Sequence, residues 1–194
     1  MIGEKISLCC IAGNCEGITG SFIEQFRPVA DEICIVRAIG NQKHDATLKK
    51  ALAAGCKVGE YFNQAHPEWP HVDNFAAARN VAWKMATHEW VMWADIDDVI
   101  TPESIREFRR LVKESTENIE MIRCPYVVPD QAIHENIRER LVRRGKFRWN
   151  SPVHESLDSI DGHKYEFIQT ERAVITHGAK MDRRPSCERN IRIL

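Results

Sequence analysis

The chain is 194 residues long, 43% hydrophobic and 28% charged, with a net charge of −1. This balance describes one soluble globular domain with a sizeable core; it excludes a disordered chain and leaves no electrostatic case for nucleic acid or a strongly anionic membrane as partner. The seven cysteines, odd in number and without a C-x-x-C pair, sit mostly in apolar runs and read as reduced, buried thiols of a cytoplasmic protein.

In chain order, the first residues lack the basic and apolar regions of a signal peptide, and no later apolar run is long enough to span a bilayer. Residues 5–12 (KISLCCIA) predict a buried strand that ends in a turn at Gly13 and Asn14. Ile18, Phe22, Ile23 and Phe26 recur at helical spacing over 17–26, and Pro28 closes that helix. A second strand over 32–39 leads through a polar loop, 40–45, to a short helix holding Leu48 and Leu52 that stops at Gly55. Residues 57–62 make a third strand, so strand and helix alternate as in the βαβ units of a parallel sheet. A loop rich in His, Pro and Trp (63–72) precedes a helix from Asp73 to about His88, with Phe75, Ala78, Ala82 and Met85 on one side. Beyond a fourth strand over 90–94, a helix over 102–114 turns Ile105, Phe108, Leu111 and Val112 inward. Residues 120–128 and 139–143 predict later strands, with a bulge or an edge at Pro125. The basic cluster Arg138, Arg140, Arg143, Arg144, Lys146 and Arg148 reads as a solvated strand pair. Residues 149–155 form a polar segment anchored by Trp149 as a packing residue. Residues 165–176 predict a strand ending at His177 and Gly178, and 183–194 a basic helix whose abrupt close reads as a chain that continues.

The fourth strand organises the rest. Its apolar run WVMWA (90–94) stops at Asp95, Asp97 and Asp98, and open α/β sheets place ligands at the carboxyl ends of their strands. Three adjacent carboxylates raise one another's pKa, and a divalent cation is the simplest compensation; hard oxygen donors suit Mg²⁺ or Mn²⁺. The plainer reading is an exposed turn in which Thr101 N-caps the next helix, with Pro102 at its first position. The motif also fits the D-x-D-x-V nucleophile of haloacid-dehalogenase-like phosphatases, in which Asp95 would be phosphorylated and Asp97 would be the acid/base; that motif belongs on an early strand and needs a later lysine.

The first strand ending near Asn14 and Glu16, the helix start DNFAAARN (73–80), the turn DIDD (95–98), RLVR (140–143), PVHE (152–155) and ITH (175–177) resemble family 2 glycosyltransferases, in order and spacing along nearly the whole chain. A lone D-x-D occurs by chance everywhere; the F-x-x-x-R-N helix before it, with V-H-E and H-G after it, makes the match specific. The resemblance implies a GT-A type nucleotide-sugar-binding α/β fold, a mostly parallel central sheet flanked by helices, in a single catalytic domain. It implies inverting transfer from a nucleotide diphosphate sugar, a UDP-sugar foremost, to a carbohydrate or lipid-linked glycan acceptor, with Mn²⁺ or Mg²⁺ as cofactor. The protein would be cytoplasmic and at most peripheral to a membrane. Residue by residue, Ala12, Gly13, Asn14 and Glu16 match the segment along the nucleoside, Asp45 a further donor-binding position, and Arg79 a residue near the diphosphate. Asp95 matches the neighbour of the ribose, Asp97 the metal ligand and His177 a further one. On the acceptor side Glu155 would be the general base, with His154 beside it orienting the loop or touching the diphosphate. One position departs. Where the family's D-x-x-S-x-D-x-T has its first acid this chain has Arg37, which only donates hydrogen bonds, so Glu16 or a backbone carbonyl near Ala12 is left to read the base. A non-catalytic nucleotide-sugar or glycan binding module is the remaining alternative.

Overall fold

The computed structural model describes residues 4–129, 136–178 and 184–193, the last group by backbone alone as far as 187. Strands β1 (Ile6–Ala12), β2 (Glu32–Arg37), β3 (Lys57–Glu60) and β4 (Trp90–Trp93) pair in parallel in the order β3-β2-β1-β4. Helices α1 (Thr19–Phe26), α2 (Thr47–Ala53) and α3 (Phe75–Met85) lie in the crossovers that parallel pairing requires. Beyond β4 the sheet becomes mixed. β7 (Asn136–Arg143) runs antiparallel to β4, and β6 (Ile119–Val127) antiparallel to β7. Two short strands, β10 (Glu166–Gln169) and β11 (Ile175–His177), both lie parallel to β6, and β5 (Asp98–Ile100) pairs antiparallel with β11. Among the described residues five of the eight ladders of this sheet are parallel, in keeping with the α/β architecture expected.

Strand alternation divides the core into two layers. Ile6, Leu8 and Cys10 of β1 with Trp90 and Met92 of β4 face α1 and α4 (Pro102–Glu114), packing on Phe22, Phe26, Phe108 and Leu111. Cys9, Val91 and Trp93 face the other way, onto Ala78, Ala82 and Trp83 of α3. That second layer also holds a separate hairpin, β8 (Phe147–Asn150) and β9 (Ser156–Ser159), through Phe147, Trp149 and Leu157. Thr101 caps α4 by accepting from the Ser104 N–H at 3.2 Å, with Pro102 opening the helix as expected.

Several expectations are corrected. The single strand expected over 165–176 is broken: Thr170 donates to Glu107 at 2.9 Å and accepts from the Arg172 N–H at 3.2 Å, so the chain leaves β6 after β10 and rejoins it as β11. The basic cluster is no solvated strand pair at its centre. Arg140 is fully buried, and Arg143 is buried against the Trp90 ring at 4.2 Å, donating to Glu89 and to the carbonyls of Ile119 and Thr116. The tail helix α5 runs Arg184–Ile193, and positions 183 and 194 of the expected span lie outside the described residues. Cys9, Cys10, Cys34, Cys56 and Cys124 are free and buried, Cys15 is half-buried, and the side chain of Cys187 lies outside the described residues. Among the described residues no helix is long and apolar enough to cross a membrane.

Candidate active site

Each polar residue around the FAAARN helix start has a structural part. Asn74 N-caps α3, its side chain accepting from the Ala77 N–H at 2.8 Å. Asp73, one residue earlier, closes the preceding loop by accepting from Tyr61 Oη at 2.6 Å and from the N–H groups of Gln64 and Ala65. Phe75 N–H, free at a helix N-terminus, donates to the Pro152 carbonyl at 2.9 Å, while Asn80 exchanges two hydrogen bonds with the Trp149 backbone at 2.9 and 3.0 Å. These contacts clamp the β8–β9 hairpin onto α3. The hairpin loop carries Ser151 and His154 at φ of 68° and 55°, left-handed backbone that its surroundings must enforce.

Arg79 stands one helical turn along from Phe75 and reaches between two acids. Its Nη2 donates to Asp95 at 2.8 Å and its Nε to Glu155 at 3.2 Å, and its guanidinium lies 5.1 Å from the Trp93 ring and 5.0 Å from the Trp149 ring. Trp149 is thus a packing residue, 5.2 Å edge-on from Trp93. Burial acts to raise the Asp95 carboxyl, but Arg79, with Arg140 and His177 behind it, holds it below its ordinary range.

The turn after β4 divides its three carboxylates by partner. Asp98 is fully buried and accepts from Arg140 at 3.2 Å, from Tyr126 Oη at 2.9 Å and from the Asp95 N–H at 3.0 Å. Burial and then the Asp98 charge hold the Tyr126 phenol well above its ordinary range, so it stays protonated. Among the described residues no arginine pairs with Asp97. Burial raises its carboxyl, Asp95 and Asp98 add to the effect, and His177, with Nε2 at 3.5 Å from Oδ2, opposes it. Asp98, against the opposing effect of burial and aided by Asp97 and Asp95, raises His177. Ligand atoms of Asp97, Asp98 and His177 lie within 4.8 Å of one another, close enough to share a cation. Both oxygens of Asp98 already accept hydrogen bonds, so Asp97 and His177 are the less engaged pair, and a carboxylate with an imidazole fits Mn²⁺ or Mg²⁺, the imidazole favouring Mn²⁺.

A cavity of ≈ 740 Å³ opens at the carboxyl ends of β1 and β4, and the structure brings nine of the anticipated residues to it: Ala12, Gly13, Asn14, Arg79, Asp95, Asp97, His154, Glu155 and His177. Glu16 and Asp45 are not in its wall. Glu16 accepts from the Ala46 N–H at 2.9 Å, and Asp45 accepts from the Glu16 N–H at 3.0 Å and the Thr47 N–H at 2.9 Å, so the pair ties the β1 and β2 loops together at the start of α2. Arg37 is likewise outside the wall, buried and spent on Glu60 across the β2–β3 ladder and on His44 at 2.6 Å. The wall beyond Ala12–Asn14 is built instead by Ala38, Ile39, Gln42 and His71. Unanticipated cations reach the cavity: Arg138 from β7, and Arg189 from α5, stacked over the Phe75 ring at 4.6 Å. Nothing in their spacing marked them, because β7 and α5 meet α3 only through the tertiary fold.

Comparison with known proteins gives one family match and several likenesses of fold. A sequence model described as glycosyl transferase family 2 matches residues 68–174, more than half of the chain. A TPR repeat-containing protein of Synechococcus elongatus is 23% identical over 154 residues, covering 79% of this chain and 36% of that protein, so the chain spans about a third of this curated relative. A solved mycobacterial protein aligns with a TM-score of 0.59 at 18% identity over 92% of this chain and 68% of its own. S. aureus TarS 1-349, solved in complex with UDP, aligns with a TM-score of 0.51 at 18% identity over 66% of this chain and 38% of its own. At these identities the structural likeness is one of fold.

Proposed function

Since the chain belongs to glycosyl transferase family 2 and has the GT-A fold, we propose that it transfers a sugar from a nucleotide diphosphate sugar to an acceptor hydroxyl, with inversion at the anomeric carbon. The observation that carries this is the convergence, on one cavity, of an arginine-braced acid pair (Asp95 and Glu155) and an acid facing an imidazole (Asp97 and His177). In this reading Asp97 and His177 hold Mn²⁺ or Mg²⁺, which when bound offsets the negative charge that develops on the departing diphosphate. Asp95, fixed by Arg79, contacts the donor's ribose, and Ala12, Gly13 and Asn14 lie along the nucleoside. Glu155 takes the acceptor's proton as general base; Arg79 holds its carboxylate at one oxygen and leaves the other available. The UDP complex of TarS supports a uridine nucleotide as the first donor to try. With Arg37 turned away, the uracil edge falls to the Ala12–Gly13 backbone or Gln42.

The family match speaks against the phosphatase alternative, and Asp95, its nucleophile, is engaged by Arg79. The test is nucleoside diphosphate release from UDP-, GDP-, CDP- and dTDP-sugars with and without Mn²⁺. Mn²⁺-dependent release from one donor is expected, with Asp97→Asn losing the Mn²⁺ dependence of donor binding while keeping the parent's melting temperature. Donor binding by Asp97→Asn equal to the parent's in Mn²⁺ would remove the cation role of Asp97; binding with no turnover on any acceptor would leave a nucleotide-sugar binding module.

A further inference from the structure

His177 meets the cavity through a hydrogen-bond relay whose direction is set from its buried end. Asp98 is wholly buried, and its carboxylate accepts from the Arg140 guanidinium at 3.2 Å. Arg140 is itself fixed, its guanidinium 3.8 Å from the Trp93 ring and 4.4 Å from the Tyr126 ring, with Nη1 also donating to the Trp93 carbonyl at 3.3 Å. Tyr126 Oη lies 2.9 Å from Asp98 Oδ1, so the single hydroxyl proton goes there. The same oxygen lies 3.1 Å from His177 Nδ1. With its proton already committed it can only accept, and Nδ1 must therefore carry a hydrogen. The other ring nitrogen, Nε2, faces Asp97 Oδ2 at 3.5 Å beside the cavity. A neutral imidazole offers a metal only its unprotonated nitrogen, so the choice of tautomer decides whether His177 can serve.

We propose that Tyr126 is a positioning residue that holds His177 as the Nδ1–H tautomer and so presents the Nε2 lone pair, beside Asp97, to a divalent cation. The inference rests on the reading of Asp97 and His177 as the cation's ligands. It explains why an aromatic hydroxyl, where phenylalanine would pack as well, stands at this position of β6, and why β5 and β11 pair so as to bring His177 opposite Asp98.

The ¹⁵N shifts of the His177 ring, measured without metal at a pH where the ring is neutral and assigned by their loss in His177→Gln, read the tautomer directly. A pyrrole-like Nδ1 with a pyridine-like Nε2 is expected in the parent; the reverse pattern overturns the inference. Tyr126→Phe keeps the ring that stacks on Arg140 and removes only the hydroxyl. It should release the tautomer preference and weaken Mn²⁺ binding, followed by EPR titration of Mn²⁺ alone, by about 10–100-fold. Tyr126→Phe that binds Mn²⁺ as tightly as the parent overturns the inference. A parent with the expected tautomer that binds Mn²⁺ no better than Asp97→Asn overturns the cation reading, and the inference with it. Should Tyr126→Phe fail to fold, the parent's ring shifts still decide.

Discussion

Arg79 comes from α3 and Arg140 from β7, and each meets one carboxylate of the turn after β4. Three adjacent acids therefore carry less mutual repulsion than their spacing suggests, because Asp95 and Asp98 each have a guanidinium at hydrogen-bond distance. The demand for a cation is concentrated at Asp97. Glu155 pairs with Arg79 at 3.2 Å, so its loss tests a role in bracing against a role in proton transfer. In Glu155→Gln the amide oxygen can still accept from Arg79 Nε, and Asp95 still neutralises the guanidinium, so the melting temperature should move by no more than about 2–4 °C, the equivalent of about 1 kcal/mol. Transfer should fall by about 10²–10⁴ if Glu155 removes the acceptor's proton. Rates within a few-fold of the parent's, once an acceptor is in hand, would return Glu155 to a bracing role only.

At the scale of elements, the site depends on two joints. The first is β11 against the aspartate turn: Gly178 N–H donates to the Asp97 carbonyl at 2.8 Å, and a Cβ at 178 would stand 2.5 Å from that carbonyl oxygen and 2.9 Å from Val99 Cγ2. The glycine after His177 is thus a matter of close approach. Gly178→Ala should push Asp97 and His177 apart, costing about 1–3 kcal/mol of stability and most of the Mn²⁺ affinity; a variant with the parent's melting point and Mn²⁺ affinity would show that the joint yields freely. The second joint lies at the opposite end of the sheet. Glu32, on β2, accepts from Ser7 of β1 at 2.7 Å and from Thr87 before β4 at 2.9 and 2.8 Å, and pairs with Lys57 of β3. Burial would raise its carboxyl, but these partners, Lys57 first, lower it from about 4.5 to about 2. A depressed carboxyl contributes stability that is complete above the unfolded value and is lost as pH falls through the folded one. Urea midpoints should therefore drop between pH 4.5 and 2 in the parent, and drop less over that window in Glu32→Gln. Parallel acid limbs for the two proteins would place the acid sensitivity elsewhere.

At the scale of the whole molecule, the parallel half of the sheet leads Ala12, Gly13 and Asn14 to the cavity, the mixed half supplies Arg138 and His177, and the separate hairpin on α3 supplies Glu155. A donor that spans the cavity touches both halves and should stabilise the fold as a unit. At a hundred times its dissociation constant the expected gain is about 2.7 kcal/mol, seen as a rise in melting temperature of several degrees. That rise should require Mn²⁺ and vanish in Asp97→Asn; an equal rise without Mn²⁺ would mean that the diphosphate is held by Arg138 and Arg189 in place of a cation.

How much of this was legible in the sequence follows from which interactions are local. The apolar run of β4, the βαβ alternation before it, the N-capped α4 and the buried cysteines were all readable, because burial period, caps and turn residues act over a few positions. So was the gathering of Asp95, Asp97, Arg79, Glu155 and His177 at one cavity, because motif order survives in the chain even where contacts do not. The sequence could not separate a buried arginine from a solvated one. Arg140 and Arg148 look alike in a basic stretch, yet only the strand order β4-β7-β6 sets Arg140 between Trp93, Tyr126 and Asp98. Nor could it show that Glu16 and Asp45 brace a loop while Arg37 turns to Glu60, or that the stretch 165–176 breaks at Thr170, since each depends on partners far along the chain. The fate of a charged side chain is decided by what desolvates and what pairs it, and here both were decided only when the sheet had closed around the turn after β4.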